Sequence, residues 1–89
     1  YLFDLSTSTL YDNNEEHILT KRHRDIMALL VSSLGRAVDL ELFRRKVWER
    51  DDIDDATIRA EINRLKKSLD EDLITNLKGI GYKISKFSI

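Results

Sequence analysis

The sequence predicts an α+β domain, and three observations support that prediction. Apolar and polar residues first alternate in a strand-like pattern over residues 1–19. Apolar residues then recur three and four positions apart, as in amphipathic helices, in three stretches between residues 20 and 69. Two short strand-like runs, at 73–77 and 81–84, are joined by a glycine-containing turn. Strands, three helices and a final hairpin are the plan of a winged helix-turn-helix.

Composition limits the class of protein. The chain has 89 residues, 42% hydrophobic and 35% charged, so we expect one domain, residues 1–89, with a modest core. It has no cysteine, which excludes a disulfide framework and thiol catalysis. The longest apolar run, residues 26–31, is far shorter than the ~20 residues of a membrane span. We therefore expect no membrane partner and a cytoplasmic location, and the start at Tyr1 suggests an excised domain.

The net charge of −1 conceals an uneven distribution. Residues 1–20 carry four acids and no Lys or Arg, whereas residues 56–89 carry seven bases against four acids. Such a molecule can have a basic face that a pI of 6.1 hides. Overall charge therefore does not exclude a nucleic-acid partner.

The N-terminal segment predicts short strands. Tyr1, Phe3 and Leu5 alternate with Leu2 and Asp4, which indicates a first strand. Asp and Asn at 12–14 predict a turn, because both residues tolerate positive φ. We expect the returning strand at 17–19.

The helices carry recognisable end signals. Thr20 is the expected N-cap of the first helix, and Gly35 fits its C-terminal cap. Asp39 is the expected N-cap of the second helix. The apolar faces of these two helices comprise Ile26, Met27, Leu30, Val31 and Leu34 in the first, and Leu40, Phe43 and Val47 in the second.

The third predicted helix, about residues 56–69, has one narrow apolar stripe. At 100° per residue, the stripe consists of Ile58, Ile62, Leu65 and Leu69. The opposite side holds Ala56, Ala60, Asn63, Arg64 and Lys67. The simplest interpretation of this side is a solvated back of an amphipathic helix.

The alternative interpretation is a DNA-reading face. Alanines would allow close approach to a major groove, Arg64 can pair with guanine, Asn63 with adenine, and Glu61 with cytosine N4. Arg59, Lys66 and Lys67 have the reach to contact phosphates.

The end of the chain favours the second interpretation. The run R-L-K-K-S-L at 64–69, followed by K-G-I-G-Y at 78–82, resembles the C-terminal effector domain of OmpR/PhoB-type response regulators. Members of that family show an R-L-R-K-x-L-like run that ends the recognition helix, and a wing with R-G-x-G-Y. Leu19-Thr20 and Val47-Trp48 also match, so that the resemblance covers essentially the whole chain.

The resemblance implies a four-stranded N-terminal sheet, three helices and a C-terminal wing. It implies binding of double-stranded promoter DNA, usually by two protomers on direct repeats, as the output domain of a two-component regulator. The recognition helix would enter the major groove, and the wing, residues 74–84, would reach the adjacent minor groove or backbone. The receiver domain of such a regulator lies outside this chain.

Residue roles follow from the resemblance by position. Ala60 and Arg64 stand where family members contact bases. The phosphate-facing positions of the helix and the wing are Thr57, Asn63, Lys66, Lys67, Asn76, Lys78 and Tyr82. The loop that often meets RNA polymerase includes Arg50, Asp51, Asp52 and Asp54.

The sequence departs from the family at several positions. His23 stands where a Glu often completes a capping box, and Lys78 replaces the usual wing Arg. Glu61 is an acid on a helix meant for DNA, so it either reads a base or pairs with Arg64 or Arg59. The acids at 51–55 either cap the third helix and complement its dipole, or contact polymerase, or orient the loop away from DNA by charge repulsion. The role of Tyr82 is ambiguous, because its ring can pack on the wing while its hydroxyl contacts phosphate.

Other classes of protein are less well supported. Two histidines are too few for a metal site, and no Gly-rich phosphate loop or activated nucleophile is evident, so we expect no metal, no cofactor and no enzyme. The competing hypothesis is a protein-interaction winged helix whose basic face docks an acidic partner.

Overall fold

The computed structural model describes residues 1–69 and 73–84. The elements, in chain order, are β1 (Leu2–Asp4), β2 (Thr9–Asp12), β3 (Glu15–His17), α1 (Lys21–Ser32), α2 (Leu40–Phe43), a π-helical segment (Arg44–Trp48), α3 (Asp55–Ser68), β4 (Ile74–Leu77) and β5 (Gly81–Ile84). The α+β class and the order of elements predicted from the sequence are confirmed.

The N-terminal sheet is antiparallel, with strand order β1-β2-β3. Phe3 pairs with Leu10, and both side chains are buried against the helices. The predicted returning strand is present but lies at Glu15–His17 rather than 17–19, because Asn13 and Asn14 both have positive φ and form a two-residue turn after which pairing resumes at Glu15. Ile18 consequently lies beyond the sheet and is 77% exposed.

The sheet also has fewer strands than the resemblance implies. Residues 1–17 form three strands, not four, because the turns at 5–8 and 13–14 use up the rest of this segment.

Helix α1 begins as predicted and ends differently. The Thr20 hydroxyl accepts a hydrogen bond from the His23 backbone N–H at 3.1 Å, which confirms the N-cap. Gly35 is not the C-terminal cap, because Ser33 takes that position. The Gly35 N–H instead donates to the Ile84 carbonyl at 2.9 Å, and this bond joins the end of α1 to the final strand. Leu34 follows the helix and is 40% exposed.

The second helix changes its geometry partway along. Asp39 caps α2 by accepting from the Leu42 N–H at 2.8 Å, as predicted. After Phe43 the helix widens into the π-helical segment, and the Glu49 N–H reaches back five residues to the Arg44 carbonyl. Phe43 and Val47 nevertheless both stay buried, as the predicted shared face requires.

The wing, β4–β5, docks on the link between α1 and α2. Val38 and Tyr82 exchange two backbone hydrogen bonds, of 2.7 and 3.0 Å. A Cβ atom on Gly81 would lie 2.2 Å from the Val38 carbonyl oxygen, so only glycine allows this approach. The expected end of the last strand, near Ser85, falls outside the described residues.

The core contains side chains from the N-terminal sheet, the helices and the wing. The predicted stripe of α3 is confirmed for Ile58, Ile62 and Leu65, which are fully buried, whereas Leu69 is buried but lies just beyond the helix as its extended C-cap. This stripe packs together with Phe3 and Leu10 of the sheet and with buried residues of α1 and the wing. No helix in the described ranges is long and apolar enough to cross a membrane.

Candidate nucleic-acid interface

Helix α3 is fixed at its N-terminus by the acidic segment before it. The Asp54 carboxylate accepts from the Thr57 N–H at 2.8 Å, and Asp55 occupies the first turn. The hydrogen bonds from the Thr57 side chain and backbone lower the pKa of Asp54, because they stabilise its ionised form. The capping interpretation of this acidic run is therefore confirmed for Asp54.

The side of α3 opposite its buried stripe is open to solvent. Thr57, Arg59, Asn63, Arg64 and Lys67 are exposed, whereas Ala60 and Lys66 are half-buried. Within residues 1–69 and 73–84, neither Arg59 nor Lys67 makes an ion pair. The helix therefore presents amide, guanidinium and ammonium hydrogen-bond donors on one face. The short side chain of Ala60 lies among these longer side chains.

The wing lies beside this face. Asn76 and Lys78 are exposed, and Asn76, Gly79 and Ile80 line one cleft together with Arg59 of α3. The turn at the tip is closed by the Ile80 N–H, which donates to the Leu77 carbonyl, with Gly79 at φ +79°. The first turns of α3 and the tip of the wing thus lie side by side across one cleft, which both polar and apolar side chains line.

Tyr82 belongs mainly to the core. Its side chain is 3% exposed, and its ring stands edge-on to Phe43 at a centroid distance of 6.3 Å. The ring therefore packs in the core against Phe43 of α2. A phosphate contact, which only the small exposed part of the side chain could make, stays a prediction.

Glu61 has two partners within the domain. One carboxylate oxygen lies 2.8 Å from Nη1 of Arg64, three residues further along α3. The other lies 2.8 Å from Nε2 of His23 on α1. Of the alternatives open for Glu61, pairing with Arg64 is the one present in this structure.

The loop between the π-helical segment and α3 is held by ion pairs. Arg50 binds Asp52 through two hydrogen bonds, of 2.7 and 2.9 Å, which lower the pKa of Asp52. Arg44 donates to Asp55, to Glu41 and to the Ile53 carbonyl, and the two carboxylates raise its pKa. Asp51 is exposed and has no hydrogen-bonding or ionic partner in the described part of the chain.

Sequence reasoning missed two of these features. The contact between His23 and Glu61 spans 38 positions, and no local pattern signals it. The role of Arg44 in joining α2 to α3 was also not anticipated, although Glu41 three residues earlier was a local hint. Among the described residues, no cluster of three or more His, Cys, Asp or Glu side chains could hold a metal ion.

Comparison with known proteins defines the class. The family described as "Transcriptional regulatory protein, C terminal" matches residues 14–84, and the chain belongs to this family. Regulatory protein VanRB of Enterococcus faecalis is 32% identical over 69 residues, which are 76% of this chain and 31% of that protein. The chain thus spans about a third of the length of this curated relative.

Solved structures agree with this assignment. The DNA-binding domain of Bacillus subtilis CssR superposes with a TM-score of 0.76 at 25% identity, covering 89% of this chain and 92% of that one. The AdeR DNA-binding domain, solved in complex with an intercistronic region, has a TM-score of 0.78 at 19% identity, covering 94% and 92%, and shows the shared fold. The family resemblance predicted from the sequence is confirmed, and the domain is a winged-helix transcriptional output domain of the response-regulator type rather than an enzyme.

Proposed function

We propose that this domain reads promoter DNA with the outward face of α3 in the major groove and the wing on the adjacent minor groove or backbone. One observation carries the proposal: an exposed polar and basic face stands opposite a fully buried apolar stripe, directly beside the wing.

Arg64, Asn63 and Ala60 are the base-reading residues. Arg64 can donate two hydrogen bonds to guanine, Asn63 can pair with adenine or reach a phosphate, and the Ala60 methyl can contact thymine. The phosphate-contacting residues are Thr57, Arg59, Lys66, Lys67, Asn76 and Lys78, with the Tyr82 hydroxyl at the edge. Glu61 is better placed to hold Arg64 than to read a base itself.

Binding depends on a second protomer. The few phosphate contacts available to one domain give weak affinity that falls steeply with salt. Two protomers on direct repeats gain affinity because the second binding event is effectively intramolecular. In the cytoplasm, this pair would be controlled by a receiver domain in two-component signalling. The loop with Arg50, Asp51, Asp52 and Asp54 is the surface for RNA polymerase, where the Asp51 carboxylate is exposed and has no ionic partner among the described residues.

Selection of bound duplexes from a randomised DNA library at low salt tests the proposal. We expect enriched tandem motifs spaced by about one helical turn, ~10 bp. Binding without any enriched motif would contradict base reading. Absence of DNA binding, together with a protein partner that buries Arg64 and Lys67, would favour the interaction-module hypothesis.

The Arg64→Ala variant provides a direct test of base reading. We expect a loss of about 1–3 kcal/mol in binding free energy and a relaxed preference at one base pair, since a bidentate contact is removed. Lys21→Ala, which removes the same charge from the Lys21–Asp25 pair on α1, is the matched control and should leave the preference unchanged. A uniform loss across all sequences in Arg64→Ala would assign Arg64 to phosphate.

A further inference from the structure

Three side chains form a hydrogen-bonded chain from the core to the outward face of α3. His23 Nε2 lies 2.8 Å from one Glu61 oxygen, and Arg64 Nη1 lies 2.8 Å from the other. The exposed fractions of these side chains rise outward, from 11% for His23 to 24% for Glu61 and 66% for Arg64. Both carboxylate oxygens of Glu61 are therefore engaged within the domain.

The inner end of this chain is fixed. His23 lies in the first turn of α1, and its backbone N–H donates to the Thr20 hydroxyl. Because an ionised carboxylate only accepts hydrogen bonds, Nε2 of His23 is the donor to Glu61. Glu61 is thus tied to a second helix of the core and is not a mobile surface acid.

The outer end leaves Arg64 able to read a base. A guanidinium has five N–H donors, and the contact with Glu61 uses Nη1. The edge formed by Nε and Nη2 keeps two parallel donors, which is the geometry that guanine O6 and N7 accept. Because Glu61 already holds the Arg64 guanidinium in the free protein, less side-chain rotamer entropy is lost when Arg64 binds DNA.

We infer that Glu61, anchored by His23, is a positioning residue that sets the base preference of Arg64. The inference rests on the proposed function, since it requires Arg64 to contact a base. Glu61 also offsets the charge of Arg64, which reduces attraction to phosphates of any sequence. Its removal should therefore lower discrimination between sites while leaving total DNA binding equal or stronger.

The experiment measures affinity for the DNA site obtained by library selection and affinity for the same site with one base pair changed. The changed base pair is the one at which Arg64→Ala relaxes the preference. The ratio of the two affinities measures discrimination between the sites. In Glu61→Gln, which keeps size and loses the charge, we expect this ratio to fall about ten-fold. Affinity for an unrelated duplex should stay equal or rise. Asp25→Asn loses the same charge from the exposed Lys21–Asp25 pair and should keep the wild-type ratio.

Substitutions of His23 separate positioning from a general loss of structure. His23→Leu removes the anchor and should lower the ratio, whereas His23→Gln, whose amide can still donate to Glu61, should restore most of it. Thermal unfolding of each variant shows whether the domain remains folded, and a merely destabilised domain would lose affinity for both sites equally.

The experiment distinguishes failure of the proposed function from failure of the positioning role of Glu61. If wild-type protein shows no base preference, the proposed function and this inference both fail. If Arg64→Ala relaxes the preference but Glu61→Gln and His23→Leu keep the wild-type ratio, only the positioning role is overturned. The double variant Glu61→Gln/Arg64→Ala should match Arg64→Ala alone. A further fall in the affinity ratio of that double variant would mean that Glu61 reads a base itself.

Discussion

The two sides of helix α3 use their side chains in opposite ways. On the inward side, Ile58, Ile62 and Leu65 are fully buried and hold the helix against the rest of the core. On the outward side, Asn63 and Lys67 are exposed and contribute little to that packing. The comparison separates the residues that stabilise α3 from those that we propose to contact DNA, so that substitutions on one side should leave the other property almost unchanged.

The charged side chains around α3 also differ in whether they are bound within the domain. Asp52, Asp54 and Asp55 are each bound within the domain, to Arg50, to the start of α3 and to Arg44. The basic side chains of Arg59 and Lys67 have no such partner among the described residues. A net charge of −1 therefore says little about the interface, since most of these acids act on the protein itself.

The largest expected effect is on the inward side. Ile62→Ala should lower the free energy of unfolding by about 2–5 kcal/mol, because it removes buried methyl groups and leaves a cavity. Denaturant unfolding measures the change. The folded fraction should keep the wild-type base preference, and a changed preference would break the separation between the two sides.

A smaller effect is expected on the outward side. Lys67→Gln should weaken binding to all sequences alike and reduce the slope of log affinity against log salt by about 0.9, since one phosphate contact is lost. Titrations at several salt concentrations measure this slope, and stability should not change. Lys21→Gln, on the Lys21–Asp25 pair of α1, is the control, and an equal effect there would indicate general electrostatics.

The smallest effect is expected at the N-cap. Asp54→Ala should lower the Tm by about 4 °C near neutral pH, because it removes the carboxylate that accepts the Thr57 N–H. Because the pKa of Asp54 is lowered from 3.8 in the folded state, the ionised cap stabilises the fold fully above that value. This contribution is lost as pH falls through the folded pKa. The difference in Tm between wild type and variant should therefore shrink in acid, and a constant difference would contradict an ionic cap.

The sequence by itself determined whatever depends on neighbours within about four residues. The caps at Thr20 and Asp39 and the apolar stripe of α3 could be predicted, and the acids at 51–55 indicated a cap without singling out Asp54, because hydrogen bonds and periodicity along one helix are local. The outward face of α3 followed from the same periodicity.

Tertiary structure alone decided the features that join distant parts of the chain. The His23–Glu61 contact, the bond from Gly35 to Ile84 and the close approach of Gly81 to Val38 each depend on how the helices and the wing pack. Residue spacing carries no record of such contacts, because many packings satisfy one hydrophobic pattern. Packing of α1 against α3 also brings His23 to Glu61, whose other carboxylate oxygen contacts Arg64.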